Sequence, residues 1–110
     1  MIIFAFRTLV HYSLHLILPG FIAYKFYRQS WKHVWLILLS TMLVDLDHLF
    51  ASPIFDPNRC SIGFHLLHSY PAILIYFIML IPSKTRLVAI GLVLHMMTDF
   101  LDCCLFKLLQ

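Results

Sequence analysis

Charge is what this sequence has least of. Only 12% of its 110 residues are charged, against roughly 25% in an ordinary soluble domain. A basic stripe is also missing. The net charge is +3, from eight Lys/Arg and five Asp/Glu, which excludes an electrostatic nucleic-acid footprint. Cysteine is scarce and unpatterned. Cys60, Cys103 and Cys104 form no CxxC pair, which excludes a zinc-thiolate site and a disulfide-framed mini-protein. The favoured reading of all three is as small apolar residues. Internal repeats, low-complexity tracts and the alternating short segments of a membrane β-barrel are absent too. In their place stand 62% hydrophobic residues and a mean hydropathy of +0.90. A soluble globule of that composition could not cover its surface with polar groups. The chain reads as an integral membrane protein, all-α, forming one domain over residues 1–110.

Pro, Gly and charge clusters divide it into four apolar segments of about 18–25 residues, the length needed to cross a ~30 Å hydrocarbon layer. The expected spans are 3–27, 33–51, 64–81 and 86–108, packed as an antiparallel four-helix transmembrane bundle. Met1–Phe6 carries no charge and the apolar run continues past Arg7, so the N-terminus reads as part of the first span rather than as a signal peptide. Pro19 and Pro71 are expected inside helices, where each frees a carbonyl. Lys25, Arg28, Lys32, Lys84 and Arg86 gather at the two short turns, against Arg7, Arg59 and Lys107 at the other end. This bias puts the turns in the cytoplasm and the termini outside. Trp31 and Trp35 fit an interfacial aromatic belt. Cys60 and the Cys103/Cys104 pair share the outer end, where an oxidising compartment would permit a disulfide from Cys60 to either partner.

Seven histidines in so apolar a chain are the main chemical signal. His11 and His15 lie in the outer half of span one. Asp45, Asp47 and His48 end span two, His65 and His68 begin span three, and His95, Asp99 and Asp102 lie in the outer half of span four. The chain reverses at every turn, yet all four groups reach one layer. Spacings of i, i+3 or i, i+4 put His11 with His15, Asp45 with His48, His65 with His68 and His95 with Asp99 on shared faces. Asp47 points elsewhere on an ideal α-helix. His33 belongs to the polar turn.

A single histidine of this kind more often makes a helix–helix hydrogen bond than a metal ligand. The set is harder to dismiss. An uncompensated charge at mid-bilayer costs roughly 2.5–3.5 kcal/mol on insertion scales, so ionisable residues there generally have a function. Two carboxylates at a helix C-terminus also oppose its dipole. A divalent cation would neutralise the carboxylates and accept the imidazole nitrogens. The expected ligands are His11, His15, Asp45, His48, His65, His68, His95 and Asp99. Zinc fits the N/O donor set first, then iron or manganese, as one or two ions. Asp47 or Asp102, if not a ligand, would serve as the catalytic proton acceptor.

Three stretches carry a family resemblance: Val44-Asp45-Leu46-Asp47-His48-Leu49, Gly63-Phe64-His65-Leu66-Leu67-His68-Ser69 and Gly91-Leu92-Val93-Leu94-His95-Met96-Met97-Thr98-Asp99. They resemble an uncharacterised family of small integral membrane proteins found mainly in Bacteroidetes. More distantly they resemble the bacterial membrane-bound, predicted metal-dependent hydrolases. Those show an early helical His, a D-x-D-H motif, a His-Ser pair and a late H-x-x-x-D. The matching residues here are His11; Asp45, Asp47 and His48; His68 with Ser69; and His95 with Asp99. The His-Ser pair often has a second His about five residues before it, where this chain has His65 three before; His15 is additional. The resemblance implies a multi-pass protein of the bacterial inner membrane that binds metal.

The leading expectation is a membrane-embedded hydrolase acting on an ester or phosphoester, with lipid or another small molecule as substrate, at the extracytoplasmic interface. Membrane lipid is its expected partner, and nucleic acid is not. The alternatives are a metal-ion or proton carrier or sensor, which needs a polar path through the inner half, and a structural bundle whose polar layer fixes helix register. Haem suits the crowd of carboxylates poorly.

Overall fold

The computed structural model describes residues 2–52 and 60–108. Four α-helices follow one another: α1 (Ile2–Phe26), α2 (Trp31–Ser40), α3 (Tyr70–Ile78) and α4 (Ser83–Leu108). No strand occurs among the described residues. Three helical stretches are long and apolar enough to cross a membrane: Ile2–Phe26, Arg28–Phe50 and Ser83–Leu105. The loop Asp56-Pro57-Asn58-Arg59-Cys60, which on its sequence is a cover over the site, a lipid-headgroup contact through Arg59 or a rigid turn, lies outside the described residues except for Cys60.

The molecule is inside-out relative to a soluble globule. Buried among the described residues are eight polar or ionisable side chains and seven apolar ones. Large apolar side chains such as Leu9, Ile17, Phe21, Leu36, Leu74 and Phe100 instead face outward. That distribution suits a hydrocarbon solvent, which makes no demand for a polar surface and penalises only unpaired polar groups.

Two departures from regular helix matter for the site. The second span changes winding part-way. After Ser40 the helix tightens into a 3₁₀ stretch, Thr41–Phe50, far longer than the few residues usual for that geometry. Its burial follows a period of three: Thr41, Val44 and Asp47 are buried, while Leu43, Leu46 and Leu49 are exposed. Side chains at i and i+3 eclipse in this winding. Asp47, which an α-helix would turn away, is thereby carried onto the inner face.

The third segment is not the continuous helix expected over 64–81. Its α-helix covers nine residues, a rise of roughly 13 Å. Ser69 caps the start, its side chain accepting from Ala72 N at 3.4 Å, and Pro71 sits in the first turn. There a missing N–H costs nothing, so Pro71 starts this helix instead of kinking it. The preceding backbone is irregular and tied to itself. Gly63 adopts φ +82°, its N–H bonds His68 O at 2.9 Å, and His65 N–H bonds Ser61 O at 3.2 Å. Tyr76 Oη donates to Leu67 O at 2.7 Å. Non-helical backbone at membrane depth is tolerated where protein buries it or where it lines a polar cavity.

The end of the bundle with the short turns is apolar inside, with Ala23, Val34 and Leu38 at its centre. Trp35 is drawn into the α1–α2 contact rather than left in a belt. Its Nε1 donates to Leu16 O at 2.9 Å, one turn before Pro19, and a Cβ on Gly20 would stand 2.8 Å from its ring. At the other end, Arg7 on α1 grips Asp102 on α4 through Nε (2.8 Å) and an Nη (3.0 Å). Cys60 and Cys103 are disulfide-bonded across a Cα–Cα distance of 5.2 Å, and Cys104 is free. The reading of all three cysteines as plain apolar residues thus holds for Cys104 alone.

Where α4 crosses the second span, a Cβ on Gly91 would lie 2.6 Å from Thr41 Cγ2 and 2.8 Å from Thr41 Oγ1. Gly91→Ala should therefore cost about 1–3 kcal/mol through overpacking, read as a lower thermal midpoint in detergent. In a Thr41→Ala background the same change should cost measurably less. An equal cost in both backgrounds would mean that this crossing does not set the spacing.

Candidate metal centre

Four elements deliver the polar residues to one depth. At 1.5 Å per residue, His95 stands roughly 18 Å along α4 from Ser83, and His15 roughly 16 Å back along α1 from Phe26. The 3₁₀ stretch contributes Asp45, Asp47 and His48, and the irregular segment before α3 contributes His65 and His68.

The tightest grouping is Asp45, His68, His95 and Asp99. His68 Nε2 and His95 Nε2 face each other at 3.2 Å. Asp45 Oδ1 lies 3.3 Å from the first and 3.0 Å from the second. Asp99 Oδ2 lies 2.8 Å from His68 Nε2 and 3.2 Å from His95 Nε2. Ligands about 2.0–2.1 Å from one ion stand roughly 3.3 Å apart in a tetrahedron and roughly 2.9 Å apart in an octahedron. The observed edges span those values. Asp99 Oδ2 is buried without a hydrogen bond despite its two close nitrogens. His95 Nε2 is within hydrogen-bond distance of both Asp45 Oδ1 and His68 Nε2, and the four groups, three of them buried, lie close enough together that they could hold a metal ion.

Asp47 sets the orientation. Its Oδ2 accepts from His68 Nδ1 at 2.8 Å and from Leu67 N–H at 2.9 Å. With the proton on Nδ1, the lone pair of His68 lies on Nε2, aimed into the grouping. In metal sites a carboxylate placed in this way fixes the tautomer of a ligating histidine and raises its basicity.

Two further groupings adjoin the first. His15 Nε2 approaches Asp99 Oδ1 at 3.1 Å and His11 Nε2 approaches it at 3.9 Å. Asp47, His48 and His65 form the other, with His48 Nδ1 3.2 Å from Asp47 Oδ1 and the His48 and His65 rings 4.0 Å apart. All eight residues expected as ligands are therefore brought into three adjoining groups. The two expected proton acceptors are committed elsewhere: Asp47 holds His68, and Asp102 is held by Arg7, outside all three groups. The contact between Asp47 and His68 does not follow from α-helical spacing, and the pairing of Asp102 with Arg7 spans 95 residues and leaves no local signal.

The match that places this chain spans residues 5–106. The chain belongs to DUF6122, a family of unknown function. That match takes in all three groupings. No curated protein and no solved structure matches the chain.

If Asp47 orients His68, then Asp47→Asn should weaken Zn²⁺ binding roughly 10–100-fold, whereas Asp102→Asn should leave it unchanged. Competition with a chromophoric chelator in detergent reads both. Equal losses would return Asp47 and Asp102 to the same role.

Proposed function

We propose that this protein is a membrane-embedded, metal-dependent hydrolase that cleaves an ester or phosphoester bond in a lipid. The observation that carries the reading is the way the four-residue grouping opens. His68, His95 and Asp99 are almost fully enclosed, while the Asp45 side chain is 34% exposed. Asp45 and His48 lie on an open, largely apolar face of the second span together with Leu39, Leu43, Leu46 and Leu49. A substrate reaching Asp45 that way passes along an apolar surface, which favours one with acyl chains.

A divalent ion held there would lower the pKa of water towards ~7 and polarise the scissile bond. The residues of the chain do the rest. Asp45, His68, His95 and Asp99 hold the ion, and Asp47 keeps His68 in the ligand tautomer. His48 takes over the proton-accepting role from Asp47 and Asp102. Its Nδ1 points at Asp45 O (3.0 Å), which places the basic lone pair on Nε2. The donor set is nitrogen and oxygen without thiolate, which favours zinc, with iron and manganese next. The resemblance of the D-x-D-H, His-Ser and H-x-x-x-D motifs to predicted membrane-bound hydrolases supports the same chemistry by analogy.

Two features support a bacterial inner-membrane location with outward termini. The basic residues crowd the two short turns, and the Cys60–Cys103 disulfide at the other end belongs in an oxidising compartment. A carrier is less well supported. Beneath the polar layer there is a void of only about 10 Å³ beside His15, Thr41 and His95, and below it the packed Ala23–Val34–Leu38 core.

Zn²⁺-loaded protein in mixed micelles should release product from a phospholipid or an acyl-ester lipid. Chelator and the His95→Ala/Asp99→Ala variant should both abolish release. Metal bound without turnover of either lipid class, or of soluble nitrophenyl esters, would overturn the hydrolase reading. For topology, a reporter enzyme active only outside the cytoplasm should work when fused to the C-terminus and fail when placed in the Arg28–Ser30 turn. The reverse pattern would invert the orientation.

A further inference from the structure

We infer that the centre is dinuclear. A second divalent cation is held by His11 and His15 of α1 and shares Asp99 with the first. This deepens the hydrolase reading and rests on its first metal position.

Asp99 divides its carboxylate between two sets of imidazoles. Oδ2 faces His68 and His95 at 2.8 and 3.2 Å. Oδ1 faces His15 and His11 at 3.1 and 3.9 Å. One carboxylate with each oxygen met by its own pair of imidazole nitrogens is a bridging ligand in waiting. Helical spacing places part of this set: His11 and His15 are i, i+4 on α1, and His95 and Asp99 are i, i+4 on α4, while His68 comes from the segment before α3. The rings of His15 and His95 lie 4.3 Å apart, and those of His11 and His15 lie 4.4 Å apart.

The alternative is that α1 only supplies a hydrogen bond to orient Asp99. That accounts for His15, whose Nε2 is within hydrogen-bond reach of Oδ1. It leaves His11 without a purpose. At 3.9 Å its Nε2 is too far for a hydrogen bond to Oδ1, and its Nδ1 is buried with no hydrogen-bond partner. Its Nε2 faces Oδ1 across a gap too wide for a hydrogen bond, and a cation bound to both atoms would close that gap. A cation between His11 Nε2, His15 Nε2 and Asp99 Oδ1 gives both rings a reason to face that oxygen. With three protein donors, the position would remain open to water or substrate, as catalytic sites do. The third grouping fits a second ion less well. His48 Nδ1 is turned to the Asp45 carbonyl, and Asp47 Oδ2 already accepts two hydrogen bonds.

The test is metal stoichiometry on full-length protein in detergent, loaded with Zn²⁺ and freed of excess. The wild type should retain two ions per chain and His11→Ala/His15→Ala one. Loading with Mn²⁺ instead should give an exchange-coupled paramagnetic spectrum in the wild type and an isolated-ion spectrum in the variant. One ion in both proteins would overturn the dinuclear centre and leave the single-site hydrolase standing. Two ions in both would place the second ion elsewhere and overturn the assignment to α1. No ion in the wild type would remove both readings. If the variant loses both ions, the Mn²⁺ spectrum of the wild type decides: coupled sustains the inference, isolated overturns it.

Discussion

Carboxylates held inside hydrocarbon must be neutralised where they stand, and most of this architecture follows from that constraint. Asp45, Asp47 and Asp99 would each be costly alone at this depth. The bundle answers by surrounding them with imidazoles from four separate elements, so that every helix direction is committed to one layer. Apolar packing contributes comparatively little that is specific. The lipid-facing side chains gain nothing by turning inward, and among the described residues the buried apolar side chains gather in two small clusters.

Local backbone form bends to the same requirement. A 3₁₀ winding has poorer hydrogen-bond geometry than an α-helix, and non-helical backbone in a membrane has no water to satisfy it. Both occur here, and both occur where the layer needs them. The 3₁₀ stretch brings Asp47 inward beside Asp45 and His48. The irregular segment lets His68 meet Asp47 through a side chain while its neighbour Leu67 meets the same oxygen through the backbone.

Much of this was legible in the sequence. Apolar run length gave three of the four helices within a few residues, and helical spacing put the imidazoles and carboxylates at one level. The failures have physical causes. Residues 64–81 are apolar enough for a span, and hydropathy alone does not register that Ser69 and Pro71 together form a helix-start signal. Reading that signal would have placed His65 and His68 on a connecting segment. Asp47 was misplaced because the period of 3.6 was carried past Ser40. The spacing Thr41, Val44, Asp47 is a period of three, visible only once burial is known. The i, i+7 relation of Asp102 to His95 places it with the layer on spacing alone, although Arg7 of α1 is its partner. Long-range pairings of that kind leave no trace in local spacing.

The division of labour among the carboxylates follows from what each oxygen touches. Asp102 is neutralised by a guanidinium and serves the α1–α4 contact. Asp47 is saturated on one oxygen by donors and acts on His68. Asp45 carries its Oδ1 to both imidazoles yet keeps a third of its side chain open, so it borders both the enclosed centre and the open apolar face. Asp99 is closed to solvent and has imidazoles on both oxygens. Residues of one chemical type, at nearly one depth, are distinguished by their partners alone: a guanidinium for Asp102, His68 and a backbone N–H for Asp47, two imidazoles and an open side for Asp45, and imidazoles on both oxygens for Asp99. It is this asymmetry that distinguishes the arrangement from a polar belt, in which the four would be interchangeable.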